Sequence, residues 1–467
     1  MTDQTVLEDV ADGDDAPTAE ALYGLRPALV RAVVAAVKEG DGKKVRRLIH
    51  PLHFTDVADL LERLKPEDRL HVIAYTRRTL PPETLTELDE AIREEVLDQL
   101  NPENIAAAFR ELETDDAIEL VEDLDDAAQR EILDAVDDED RALIEEGLSY
   151  PEDSAGRLMQ RHFASVHQMW TVGETIDFMR ESEDLPVEFY ELFVTDDEQR
   201  VVGDVPLNLL LRTRRPVRIR QIMVEDITTI PVTMDQEEVA ILFRNRDLVS
   251  APVVDQDDRI VGMITVDDVV DVIDEEAEED LLRLSGVAED DLYQATLSTT
   301  KSRFGWLAIN LGTAIAASIV IGFFADTLQQ IVALAILMPI VASMGGNAGT
   351  QTLTVAVRAI AMRELATGTL WRFIAKEVIV GAINGLLFAV LIGAIGGFWF
   401  DDPIIGVVIG LAMVINLVVA GFSGAVIPLL LDRQGIDPAV ASSVILTTVT
   451  DIVGFMVFLG LATIIIL

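Results

Sequence analysis

The sequence predicts a multidomain membrane protein: an all-α superhelical N domain, an α/β tandem domain, and an α-helical transmembrane bundle of five spans. Three observations predict it. The 467 residues are 50% hydrophobic yet 25% charged, with a mean hydropathy of +0.31, a mixture that suits separate aqueous and membrane parts better than one globule. The charges segregate: from Lys301 onward there are 7 Lys/Arg and 8 Asp/Glu, whereas the first 300 residues hold 29 and 73, a net charge of −44. The polar part carries two different internal repeats, and the apolar part carries runs long enough to cross a bilayer.

The acidic excess bounds the partners. Such a surface repels phosphate backbones and anionic lipid heads and attracts cations, so nucleic acid is not expected as a partner. There are no cysteines, which removes disulfides and thiolate metal sites. Residues 1–20 lack the basic start and apolar core of a signal peptide and read as a disordered acidic tail.

Residues 21–150 form the first domain. LKPED from Leu64, LDEAI from Leu88, LNPEN from Leu100, LETDD from Leu112, LDDAA from Leu124 and VDDED from Val136 recur with a period of 12, with one unit blurred near Thr76. Pro, Asp and Thr at these junctions satisfy or remove the orphan amide donors of a helix start, so each unit reads as one short capped helix. Stacked short helices that bury one another make a superhelix. His53 and His71 stand alone and read as surface or packing residues.

Residues 151–280 carry the second repeat. TDDEQRVVGDVP from Thr195 matches VDQDDRIVGMIT from Val254 at an offset of 59, each after a helix-like stretch and a strand. This β-α-β-β-α tandem resembles a pair of CBS modules, regulatory domains that bind adenosine nucleotides in the cleft of the pair. Gly262-Met263-Ile264-Thr265-Val266-Asp267-Asp268 keeps the family's pattern, and the resemblance places Thr265 and Asp268 at phosphate and ribose. Gly203-Asp204-Val205-Pro206 has lost both polar groups. Thr265 reads equally well as an N-cap of the next helix.

That helix places Asp267, Asp271, Asp274 and Glu278 at i, i+4, i+7 and i+11, with Asp268 and Glu275 beside them. Like charges at these spacings repel, and a divalent cation with oxygen ligands relieves the repulsion. A solvated acidic face in an acidic protein has the same pattern. A connecting, plug-like helix over 281–303 then leads into the membrane.

Residues 304–467 are the transmembrane domain. Uncharged runs cover Phe304–Ala325, Thr327–Val357, Val378–Phe400, Pro403–Leu431 and the segment from Pro438, broken only by Asp451. Lys301, Arg303, Arg358, Arg363, Arg372, Lys376 and Arg433 all fall on one side, which makes the N-terminal part cytoplasmic and the C-terminus external. The second span carries Pro339, Gly345, Gly346, Asn347, Gly349 and Gln351, and Asn384, Asn416 and Pro428 extend a polar seam. Polar and backbone groups at this depth belong against protein or a watery cavity. Asp451 is expected to be the only charge inside the spans, and an acid there marks a functional site.

Together these parts resemble an MgtE-type magnesium transporter, through P-x5-GGN-x-G-x-Q at Pro339 to Gln351 and T-D-x-x-G at Thr450, Asp451 and Gly454. The resemblance implies a homodimeric, Mg2+-selective channel of the inner membrane, closed when cytosolic Mg2+ fills acidic sites. It implies Asp451 as the pore metal residue, with Gly345, Gly346, Asn347, Gln351 and Thr450 as pore lining. It further implies Asp267, Asp268, Asp271, Asp274, Glu275, Glu278 and Asp437 as cytosolic ligands, and ATP or another adenosine nucleotide as a regulator. A transporter of Co2+ or Ca2+, a Mg2+ exporter and a proton-coupled carrier share this architecture. No enzyme is expected: HExxH is absent, and an intramembrane aspartyl protease needs a second acid.

Overall fold

The computed structural model describes residues 25–467 except 101, 123, 125, 183, 184, 187, 188, 288–295, 364 and 366. The predicted 1–20 tail and the middle of the 281–303 connector lie outside the described residues. The chain divides into two compact units, Met1–Asp274 and Glu275–Leu467.

The first unit opens with α1 (Pro27–Lys38), α2 (Gly42–Ile49), α3 (Phe54–Arg63), α4 (Pro66–Thr76), α5 (Glu90–Leu97), α6 (Pro102–Phe109), α7 (Thr114–Glu122), α8 (Asp126–Ala135) and α9 (Asp138–Gly147). From α3 onward the starts fall on multiples of twelve residues, with one unit missing between α4 and α5. A 3-10 turn, Pro82–Thr84, stands there instead. Consecutive prolines at 81 and 82 explain the blurred unit, because each removes an amide donor and turns its predecessor away from helical geometry. Asp89 and Asp137 cap α5 and α9 by accepting from Ala91 N and Asp140 N. One continuous core runs through the stack, from Leu60 and Ile73 through Val96 and Ile118 to Ile144. Two buried arginines repeat one contact two units apart, Arg69 to Glu95 at 3.2 Å and Arg93 to Glu119 at 2.9 Å.

A short helix, α10 (Ala155–Leu158), precedes the tandem. The first copy contains β1 (Ser165–His167), α11 (Val172–Glu181), β2 (Glu191–Thr195), β3 (Val201–Pro206) and α12 (Leu207–Arg212). The second contains β4 (Ile230–Pro231), α13 (Gln236–Arg246), β5 (Ser250–Val254), β6 (Ile260–Thr265) and α14 (Val266–Ser285). In each, a parallel pair is followed by an antiparallel one, and the register shifts at Val194/Thr195 and again at Val253/Val254, 59 residues on. The hairpin turns match too. Asp196 accepts from the amides of Glu198 and Arg200, and Asp255 from those of Asp257 and Arg259. The two turns bridge each other through Arg200 and Arg259.

The second unit holds five helices long and apolar enough to cross a membrane. They are α15 (Thr296–Gly322), α17 (Val332–Ala361), α18 (Thr367–Trp399), α19 (Pro403–Asp432) and α20 (Pro438–Ile465), with a short α16 (Ala325–Gln330) after the first. α19 is central and packs on α17, α18 and α20. Small residues allow this: a Cβ at Gly381 would stand 2.5 Å from the Leu417 carbonyl oxygen, and one at Gly410 3.1 Å from that of Ala389.

One expectation is corrected here. The apolar run of the third span starts at Val378, but its helix starts at Thr367 and carries Arg372, Lys376 and Glu377. Lys376 is exposed, while Glu377 is only 8% exposed and accepts from Thr352 Oγ1. Asp451 is therefore not the only acid inside the bundle. A helix continues past its apolar stretch when its charges snorkel or find a buried partner.

Candidate functional site

In the membrane unit the two motif segments face one another through α19. Gly345 of α17 and Gly454 of α20 both lie against the Asn416 amide, which is fully buried and donates to Val341 O at 2.9 Å. A Cβ at Gly454 would stand 2.9 Å from that nitrogen, so the glycines of GGN and T-D-x-x-G make room for one amide. Thr450 is buried, and its hydroxyl donates to carbonyls of its own helix, Leu446 O and Thr447 O. Asp451, one residue on, is half-buried, and its carboxylate has no hydrogen-bond or ion-pair partner among the described residues. Gly345 faces inward, Gly346 is half-buried with open space above it, and Asn347 and Gln351 are exposed. The residues singled out from the motifs thus divide between a packed inner side and an outward polar side. A cavity of about 100 Å³ opens beside α20, lined by Trp306 and Asn310 of α15 and by Ser443 and Thr447, the last one turn from Asp451.

Asp437 caps α20, its Oδ1 accepting from Ala439 N at 2.7 Å and its Oδ2 from Arg283 Nη1 at 2.9 Å. Arg283 also pairs with Glu279. Asp280 is a further acid at this contact that the sequence reading passed over; burial and then the Asp437 charge raise its pKa.

The first unit assembles a carboxylate cluster that involves the start of α14 and the helical repeat. Asp268 is joined by Glu113, Asp115 and Asp116, which come from the ETDD segment at the start of α7. Gln160 sits among them and donates to Glu113 and, at 3.3 Å, to Asp268 Oδ2. Thr265 donates both its hydroxyl, at 2.7 Å, and its amide, at 3.3 Å, to Asp268. Burial pushes Asp268 up to about 7 against the pull of the Thr265 hydrogen bonds, and the Asp267 charge adds to the rise. Burial and then Glu119 push Asp116 up to about 7. Burial and the Asp268 charge hold Asp115 well above the usual carboxylate range, and its buried Oδ1 has no hydrogen-bond partner. Glu87 is raised by burial and then by Asp271, and Asp271 by burial, Asp267 and Asp274.

Along α14, Asp267, Asp271, Asp274, Glu275 and Glu278 are exposed and Asp268 is not. Among the described residues no three His, Asp or Glu side chains stand in a group that holds a metal ion as they are. The cluster is instead an electrostatic strain that a proton or a divalent cation relieves. Sequence reasoning found its α14 half and missed Glu113, Asp115 and Asp116, whose acidic density merges with the helix caps of every other repeat.

A second cavity, about 220 Å³, lies in the tandem and is lined by Glu191, Asp204, Asp226, Thr228, Arg246 and Ser250, among others. Thr265 and Asp268 are not in its lining. Asp204 is pushed up to about 6 by burial and then by Glu191.

Three families match the chain. The MgtE family, described as divalent cation transporter, matches residues 338–461; the MgtE intracellular N domain matches 52–153; the CBS domain matches 219–275, the second of the two structural copies. Magnesium transporter MgtE of Enterococcus faecalis is 32% identical over 437 residues, 92% of this chain and 96% of that protein. Magnesium transporter MgtE of Thermus thermophilus is 32% identical over 434 residues, 91% of this chain and 96% of that protein. Among solved structures, the cytosolic domain of the Mg2+ channel MgtE in complex with ATP is 31% identical, with a TM-score of 0.49, covering 52% of this chain and 99% of that one.

Proposed function

The chain belongs to the MgtE family of divalent cation transporters, and from that premise we propose that it carries Mg2+ into the cytoplasm through a path that includes Asp451. The observation that carries this reading is Asp451 itself. It is an acid without a partner among the described residues, in an apolar helix packed against the GGN helix. An acid in a span costs about 2.5–3.5 kcal/mol on insertion scales, a cost that an ion site explains.

Mg2+ sheds water reluctantly and takes compact octahedral oxygen coordination. One carboxylate does not strip it. In a homodimer, two copies of Asp451 about a two-fold axis hold the hydrated ion through outer-shell hydrogen bonds, with Asn347 and Gln351 supplying neutral polar groups alongside. An inward potential supplies about 4.6 kcal/mol per 100 mV for a doubly charged ion, so uptake needs no ATP hydrolysis. The basic connections orient the helices with the N-terminal domains in the cytoplasm and the C-terminus outside.

Cytosolic Mg2+ closes the path by neutralising carboxylates at the start of α14 and the α7 acids beside them. Asp115, Asp116 and Asp268 suit this role because they are already crowded and short of counter-charge, and Asp115 Oδ1 lacks a partner. Asp280 and Asp437 form a second such point beside Arg283. An adenosine nucleotide is a regulatory ligand on this reading. The cavity by Asp204 and Arg246 offers it more room than Thr265 and Asp268, which already bond each other.

Complementation tests the transport reading. The wild-type protein should restore growth of a Mg2+-uptake-deficient strain at low Mg2+, and Asp451→Asn and Asp451→Ala should not. Rescue by both variants removes Asp451 from the path. Uptake of Co2+ or Ca2+ in preference to Mg2+ reassigns the ion.

A further inference from the structure

We propose that Asn416 and Glu377 are positioning residues that lock α17 at one rotation about its axis and thereby decide that Asn347 and Gln351 form its outward face. The buried residues of α17 include Val341, Gly345, Gly349 and Thr352, spaced by four, four and three positions and hence on one side of the helix. A buried polar side chain grips this stripe near each end.

At one end Asn416 of α19 donates its amide to Val341 O at 2.9 Å. Its Oδ1 has no hydrogen-bond partner among the described residues, so the bond to Val341 is the contact the amide stands to lose. Three turns along, Thr352 Oγ1 donates to Glu377 Oε2 of α18 at 3.1 Å, both side chains being buried. Around this second grip the helices meet backbone to backbone. A Cβ at Gly421 would stand 2.7 Å from the Glu377 carbonyl oxygen, and one at Gly424 2.6 Å from that of Gly349.

Burial gives the two grips their leverage. An amide enclosed by apolar helices has no water to turn to, so a rotation that withdraws Val341 strands the Asn416 amide, and one that withdraws Thr352 takes the hydrogen bond from Glu377 Oε2 while Oε1 keeps its 3.5 Å pair with Lys376. Hydrogen bonds between otherwise apolar helices fix their relative orientation in this way. Asn347 and Gln351 each follow a residue of the stripe by two positions, about 200° round the helix, and both are exposed. The inner grips and the outer amides are therefore opposite faces of one rigid element. The transport reading is needed only for the consequence, that the outer face lines the ion path.

The absence of cysteine from the sequence makes the orientation directly measurable. A single thiol at Gln351→Cys, in the otherwise full-length protein, is titrated with a water-soluble thiol reagent, alone and with Thr352→Val, Thr352→Ser, Glu377→Gln, Glu377→Ala or Asn416→Leu added. Folding of each variant is monitored by size exclusion and thermal melting. Thr352→Ser and Glu377→Gln keep the donor and an oxygen acceptor, and the modification rate should stay within about twofold; the other three should change it by roughly fivefold or more, the scale of one lost buried hydrogen bond. The same three should alter the ratio of Mg2+ to Ca2+ uptake. Unchanged rates in folded Thr352→Val and Asn416→Leu overturn the proposal. Shifted rates in a protein that carries no Mg2+ overturn the transport reading and leave the positioning one standing.

Discussion

Asp116 and Asp268 carry carboxyl groups pushed up to about 7, chiefly by burial, in a cluster whose charges all have one sign. A raised carboxyl pKa means that folding favours the protonated form. The associated stability is fully present below the unfolded value of about 4 and is lost as pH rises through about 7. On the closing mechanism proposed above, Mg2+ would take the proton's place at these carboxylates as pH rises, its binding there releasing the protons still held. The Mg2+-induced rise in melting temperature should accordingly be large at pH 8 and shrink toward pH 5.5. Asp116→Asn should stabilise the metal-free protein at pH 8 by about 1 kcal/mol, which is about 2–4 °C in a unit of this size, and should blunt the response to Mg2+. Calorimetric melts at the two pH values decide it; equal Mg2+ shifts at both would remove these acids from sensing. At this scale the sequence was readable on one side only. Asp268 stood out through its motif, but Asp115 and Asp116 look like any other acidic helix start until folding brings them beside it.

Helices of the membrane unit approach as closely as their glycines permit. Gly421 leaves room for the Glu377 carbonyl, and a methyl group there would meet it at 2.7 Å. Gly421→Ala should therefore push α18 from α19 and cost about 1–3 kcal/mol, whereas Gly368→Ala, where a Cβ meets nothing within 4 Å, should be neutral or slightly stabilising. Thermal melts in detergent test the pair, and an equal effect of the two substitutions would contradict the packing described for α19. The five spans were legible because hydropathy is a local, additive property. The start of α18 was not, because its charged first turns include a buried Glu377 whose carboxylate accepts from the hydroxyl of Thr352, 25 residues earlier in the chain and on another helix. The period of 12 was legible for the same local reason, and its one gap coincides with the local signal of Pro81 and Pro82.

Across the whole molecule, the charge of −44 in the first 300 residues is either specific to a divalent ion or a general response to ionic strength. The two causes separate on salt type. Millimolar Mg2+ should raise the melting temperature of the full-length protein well beyond KCl of equal ionic strength, since ordinary screening acts through the Debye length alone while a bound ion adds mass-action stabilisation. Equal effects would assign the excess to salt adaptation.

The sequence by itself determined the order of the parts, the two repeat periods, the number of spans and the acid at 451. These depend on spacing and on local composition, which survive without coordinates. Only the tertiary structure decided that Gly345 and Gly454 share one buried amide and that Glu377 lies inside the bundle. It also decided that Asp268 of α14 meets acids from the start of α7. Those facts depend on contacts between residues far apart in the chain, where burial rather than sequence neighbourhood sets the cost of a charge.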